Sequence, residues 1–232
     1  MRHFSARIFL TVLAAPLLLP CPAVSAADLN ATLAKLNAAA AKFRSTTADF
    51  EFDSIQTEPV PDRDVQKGVV YYRRSGSGFQ MGVHIGDVNG QKIQKTIVCC
   101  EGGSVKLYEQ KLNQVTTLSK LSQYESWFML GFGASGADLA SKWNIRDLGE
   151  ETLSGVKTEK LEMTPKDPAV RRTVPKVTLW MDLDRGVSLK QVFDEGAGQS
   201  RVCTYTNFRM NEKLPADAFT IKTNKQTVFV SR

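Results

Sequence analysis

The segment VTLWMDLDRGVSLKQVFDEGAGQSRVCTYTNF, residues 177–208, settles the fold class. Three runs rich in Val, Leu, Thr, Phe and Tyr are separated by Asp184-Arg185-Gly186 and by Glu195 to Gly198. Such short turn clusters join strands as hairpins, which lie side by side in an antiparallel sheet.

The same grammar runs outward through most of the chain. In ADFEFDSIQ, Phe50 and Phe52 alternate with Asp49, Glu51 and Asp53. VQKGVVYYRR and FQMGVHI follow, and DVNGQ supplies an Asn-Gly hairpin turn. SVKLYEQ, QVTTLS, WNIRDLG, VKTEKLEMTP, AFTIKT and TVFVSR read as further strands. About eleven strands with hairpin connections predict one large antiparallel sheet, which must curl and needs a cover for its apolar face. Two segments can supply that cover. In ADLNATLAKLNAAAAKFRS, Leu29, Leu33, Leu36, Ala40 and Phe43 recur at helical spacing, with Asp28 as a candidate N-cap. The other is LSKLSQYESWFMLGFGASGADLASKW, residues 118–143, where Trp127, Phe128, Met129, Leu130 and Phe132 crowd together. Gly131, Gly133 and Gly136 then offer hinge freedom, and Ser135 is placed to cap a short helix from Gly136 to Trp143. This segment reads either as an ordinary core insertion or as a mobile cover.

The start of the chain reads as an export signal. Arg2 and Arg7 precede an apolar run from Ile8 to Leu19, and small residues follow at Ala23, Ser25 and Ala26. The run is too short to span a bilayer, and Pro16 and Pro20 would break it. Leu18-Leu19-Pro20-Cys21 faintly resembles a lipidation site, but proline replaces the small residue expected before the cysteine. Residues 1–26 are therefore expected to be a cleaved signal peptide and 27–232 a single domain. Removing 26 of the 232 residues leaves 206, and with two of 30 basic and none of 24 acidic residues lost the net charge becomes +4. The basic residues form no dense patch interleaved with aromatics, so nucleic acid is not an expected partner.

Catalytic constellations are sparse. The histidines are His3 and His84, so triad chemistry in the mature chain would rest on His84, and multi-histidine metal sites are excluded. His84 falls on the polar alternation of its strand and reads as a surface residue. Glu150-Glu151 and Asp182 with Asp184 sit at strand ends and turns without an acid–base partner. No cofactor is expected, and the chain reads as a non-enzyme.

Taken in order, the helix, ADFEF, GVVYYRR, CCEGGSVKLYEQKLNQVT, WFMLG and the closing strands resemble the periplasmic lipoprotein-carrier family LolA and its lipoprotein-sorting relatives. The resemblance covers the mature chain and rests on order and spacing, since each piece alone is a strand-and-turn pattern. It implies a half-open antiparallel β-barrel covered by an N-terminal helix and a helical lid. It further implies a hydrophobic cavity for the acyl chains of lipoproteins, carried by a monomer between an inner-membrane releasing transporter and an outer-membrane acceptor. In the family an arginine six residues after a strand-opening glycine bonds to lid backbone. Counting from Gly68 gives Arg74, although Arg73 is adjacent and Ser75-Gly76-Ser77-Gly78 stands where a proline commonly follows. The expected cavity wall is Phe50, Phe52, Val69, Tyr71, Phe79, Met81, Val83, Leu179 and Met181. Trp127, Phe128, Met129, Leu130 and Phe132 are the expected lid. Alternation alone does not separate cavity from dry core.

Cys99, Cys100 and Cys203 remain after cleavage. Neighbouring strand residues point to opposite faces, so only one of the vicinal pair can face Cys203. Three unpaired buried thiols is the reading adopted; one bridge to Cys203, or a vicinal or metal-bound pair, are the alternatives. Three functions fit: an acyl-chain carrier, a lipid-sensing or protein-interaction module on the same fold, and a thiol-dependent exported enzyme. The carrier is the expectation.

Overall fold

The computed structural model describes residues 26–75, 78–99, 104–119 and 130–231, with backbone only at 26–28. The expected signal peptide up to residue 25, Cys100, and Trp127, Phe128 and Met129 of the expected lid lie outside the described residues.

Helix α1 (Ala26–Lys42) opens the fold and is followed by β1 (Ser45–Gln56), β2 (Asp62–Ser75), β3 (Gly78–Val88), β4 (Gln91–Cys99), β5 (Val105–Glu109) and β6 (Gln114–Leu118). After a short helix α2 (Gly136–Lys142) come β7 (Trp143–Leu153) and β8 (Val156–Pro165). A second short helix, α3 (Pro168–Thr173), precedes β9 (Lys176–Asp182), β10 (Val187–Gly196), β11 (Gln199–Met210) and β12 (Val228–Ser231). All twelve strands form one sheet in the order β12-β6-β5-β4-β3-β2-β1-β11-β10-β9-β8-β7. The edges β12 and β7 are not joined to each other, so the sheet curls without closing. β1 is the seam: it pairs antiparallel with β2 on one side and with β11 on the other.

Consecutive strands are antiparallel neighbours from β1 to β6 and again from β7 to β11, and the described residues hold twelve strands where about eleven were expected. Three local expectations change. α1 starts at Ala26, upstream of the cap suggested at Asp28. α3 is an addition, capped by Asp167, whose carboxylate accepts from the Ala169 amide at 2.7 Å. AFTIKT is not a strand. Residues 211–227 instead cross the outer face of β2 and β3, and β12 then pairs parallel with β6. The crossing depends on Gly82, where a Cβ would stand 1.9 Å from the Ala218 carbonyl oxygen. Asn113 anchors the far end, its carbonyl accepting from the Val228 amide at 3.0 Å and its side-chain oxygen from Thr227 at 2.9 Å.

The concave face divides into two apolar clusters. Under β7–β9, Leu36 of α1 and Leu139 of α2 pack with Trp143, Leu161, Met163, Val177, Leu179 and Met181. The helices approach closely because α2 begins with glycine: a Cβ on Gly136 would lie 2.3 Å from the Leu33 carbonyl oxygen. The second cluster, under β1–β4 and β11, gathers Phe50, Val70, Tyr72, Phe79, Met81, Ile85, Cys203 and Tyr205 around Phe132. Among the described residues, no helix fills that half in the same way.

Candidate functional site

This second half contains an apolar cavity of about 320 Å³. Its wall follows from register. Phe50 lies opposite Tyr205 and Phe52 opposite Cys203, so these four side chains share one face of the β1–β11 pair. On the other flank Tyr72 pairs with Met81 and Val70 with Val83, and Val83 pairs in turn with Ile97 of β4. Leu130, Val174 and Phe193 complete the apolar lining. One end carries polar groups: Gln66, Glu195 and Arg201, with Arg201 Nε 3.1 Å from the Glu195 carboxylate. The volume sits at the low end of ordinary ligand cavities, about 300–1,000 Å³.

The expected wall is corrected at five positions. Val69 and Tyr71 stand on the other face of β2, because Val70 and Tyr72 take the inward register; assigning alternate residues from a run of four apolar ones left a one-residue choice. Tyr71 instead meets His84 edge-to-face at 5.1 Å on the outer side. Leu179 and Met181 are fully buried in the helix-covered cluster and do not reach the cavity. Phe79 is buried beside the cavity, stacked against Tyr72 at 6.5 Å, without lining it. Phe50, Phe52, Met81 and Val83 do line it. His84 is likewise not a plain surface residue. The strap at 211–227 lies over it, and burial lowers its pKa, with the nearby Asp217 carboxylate opposing.

At the opposite end, Phe132 seals the interior. It is fully buried, stacked on Tyr72 at 4.1 Å and edge-to-face with Tyr205 at 4.8 Å. Its segment, residues 130–133, is tied to β10 and the turn before it by Ser188 N donating to Gly131 O (2.8 Å), Gly133 N donating to Gly186 O (3.0 Å) and Gln191 Nε2 donating to Leu130 O (2.7 Å). Gly131 and Gly133 serve this packing rather than loosening it. Both have positive φ, and a Cβ would stand 2.4 Å from Gln191 Nε2 and 2.4 Å from the Phe43 ring, respectively.

Arg74 joins three elements. Its Nη2 donates to Gly133 O at 3.1 Å and Ala40 O at 3.4 Å, and its Nε donates to Phe43 O at 3.3 Å. The last two carbonyls belong to the C-terminal end of α1, where a cation complements the helix dipole. Arg73 faces outward instead, with its guanidinium 4.7 Å from the Phe219 ring.

Gln191 was missed by pattern reading. It is buried, lines the cavity and holds Leu130 O, while its Oε1 lies 3.5 Å from the Tyr205 hydroxyl. A glutamine at an inward position of an otherwise apolar strand was the available signal. The cysteine reading also changes. Cys99 is disulfide-bonded to a partner outside the described residues, and Cys203 is a free, buried thiol. β3, β2 and β1 separate their strands, so the alternative bridge between them is not formed. Burial pushes the Cys203 thiol up to about 12. Among the described residues no cluster of three or more His, Cys, Asp or Glu could hold a metal ion, and no helix is long and apolar enough to cross a membrane.

No family model matches the chain. An uncharacterised protein of Methanocaldococcus jannaschii is 25% identical over 123 residues, which are 53% of this chain and 34% of that protein; the chain thus spans about a third of that curated relative. Among solved structures, an uncharacterised conserved protein from Thermus thermophilus aligns with TM-score 0.56 and 13% identity, over 88% of this chain and 99% of that one. MucB aligns with TM-score 0.53 and 18% identity, over 88% of this chain and 66% of that one. A putative outer membrane lipoprotein-sorting protein domain from Vibrio parahaemolyticus aligns at TM-score 0.45 and 14% identity, over 83% of this chain and 97% of that one. The chain has the open, helix-lined β-sheet fold of the Thermus protein and MucB.

Proposed function

We propose that the protein is an exported, monomeric carrier that takes up acyl chains of lipoproteins or related lipids and passes them toward the outer membrane. The observation that carries this reading is the apolar cavity on the one half of the concave face that α1 and α2 leave unfilled. At roughly 30 Å³ per water-sized group, about 320 Å³ accommodates about ten methylenes. Each buried methylene contributes about 0.8 kcal/mol, so such a chain gains about 8 kcal/mol. A triacylated cargo exceeds this volume, so loading requires the cover to move. Arg74, bonded to Gly133 O, sets part of the cost of that motion. A ligand then shifts the balance only through its preference for the open form. In this scheme the polar end at Glu195 and Arg201 is the entrance, and the membrane partners are a releasing transporter and an acceptor.

Titrating the purified protein with an environment-sensitive hydrophobic dye and competing with a triacylated lipopeptide tests the reading. Saturable dye binding displaced by the lipopeptide supports it. MucB, which shares this fold, is also solved in complex with MucA, and a protein-interaction or lipid-sensing module on the same fold is the second reading. Failure to bind dye or lipopeptide, even after Arg74 is replaced, would put that reading first.

A further inference from the structure

A larger concavity lies outside the barrel, about 830 Å³ between the end of α1 and the strap. Its floor is basic: Arg44, Arg73, Arg74 and Lys213 all line it, against the single carboxylate of Glu212. Elsewhere, lysines and arginines such as Arg63, Lys67, Arg146 and Lys222 pair with carboxylates. Among the described residues, none of the four groove cations forms an ion pair. The strap adds an apolar wall through Leu214 and Phe219. An unpaired cationic floor beside an apolar wall suits a ligand that is both anionic and amphiphilic.

We infer that this groove binds the phosphate head group of an anionic lipid presented at a membrane surface. Arg74 places the groove next to the cover. Its guanidinium has a fixed set of donors, and a phosphate accepts them in the same forked geometry as a carboxylate. A head group engaging Arg74 competes with Gly133 O, which sits at 3.1 Å. Contact with an anionic surface thereby releases the cover at the place where cargo is exchanged. This second step rests on the carrier reading; head-group binding itself does not.

The experiment is co-sedimentation of the purified protein with vesicles of phosphatidylcholine alone or with about a third phosphatidylglycerol, comparing wild type with Arg44→Gln/Lys213→Gln. Both substituted side chains are exposed and outside the cavity, and a melting curve verifies folding. Each basic residue near an anionic surface is worth about fivefold in binding, so the double variant is expected to bind about thirtyfold more weakly. Wild-type binding should weaken steeply with salt. Equal binding to neutral vesicles, or a double variant that binds as wild type, would overturn the assignment. Inorganic phosphate that displaces the vesicles at millimolar concentration, against chloride of matched ionic strength, would assign the site to the free ion and overturn the lipid. Dye uptake into the interior, read in parallel, separates the two proposals. Vesicle binding lost in the variant with lipopeptide binding intact supports the groove, whereas vesicle binding without any uptake of dye or lipopeptide defeats only the carrier reading.

Discussion

Replacing Arg74 by leucine removes the tie between β2 and the segment that seals the cavity. The bond from Nη2 to Gly133 O is 3.1 Å long and the side chain is exposed, so it belongs at the lower end of the range for charged hydrogen bonds, about 1.5 kcal/mol. Three hydrogen bonds to β10 and the turn before it remain, donated by Ser188, Gly133 and Gln191, so the segment stays docked more weakly instead of detaching. A change of about 1.5 kcal/mol shifts the ratio of open to closed forms about tenfold. Where the closed form dominates, apparent ligand affinity rises by the same factor. Dye titration by fluorescence should therefore show an apparent Kd about tenfold lower in Arg74→Leu, with slower release to acceptor vesicles. The lost contacts to Ala40 O and Phe43 O should also lower Tm by a few degrees. Arg74→Lys, which keeps the charge without the fork, should fall between the two. A lowered Tm with unchanged affinity and release would reduce Arg74 to a helix-end stabiliser and refute the latch.

Three further outcomes follow from the same geometry. Phe132→Ala removes a fully buried ring stacked on Tyr72 and edge-to-face with Tyr205 and should cost about 3–5 kcal/mol, read as a drop in the urea midpoint. Cys203, held up to about 12 by burial, should resist maleimide at pH 8 in the native protein and react once urea unfolds it; rapid native labelling would contradict its burial. Glu159, raised to about 7 by burial and by its hydrogen bond with Asp147, binds its proton more tightly folded than unfolded. That contribution to stability is complete below about 4.5 and is lost as pH rises toward 7, so wild type should lose more stability between pH 5 and pH 8 than Glu159→Gln does.

The hairpin-rich sheet was legible because period-two alternation and Gly- or Asp-bearing turns are local signals, as in residues 177–208. The strap was not. AFTIKT alternates like a strand, and only the bare backbone of Gly82, more than a hundred residues earlier, lets residues 211–227 cross there. The cavity wall was half legible for a related reason. Phe50 and Phe52 alternate with charges, which fixes their face, whereas Val69, Val70, Tyr71 and Tyr72 are uniformly apolar and their register is set by pairing with β3. Leu179 and Met181 carry the same inward pattern as the true wall. Their fate depends on which half of the sheet α1 covers, a tertiary fact with no local trace. Arg74 was singled out only through the family resemblance, counted from Gly68, and its contacts with α1 left no trace in the sequence.

Whether the apolar cavity under β1–β4 and β11 takes acyl chains can be decided by isothermal titration. The purified protein is titrated with a triacylated lipopeptide, and separately with the same peptide lacking its acyl chains. Saturable binding of the acylated peptide alone is expected, with the negative heat-capacity change that marks apolar burial. Equal binding of both peptides, or of neither, would contradict an acyl-chain carrier.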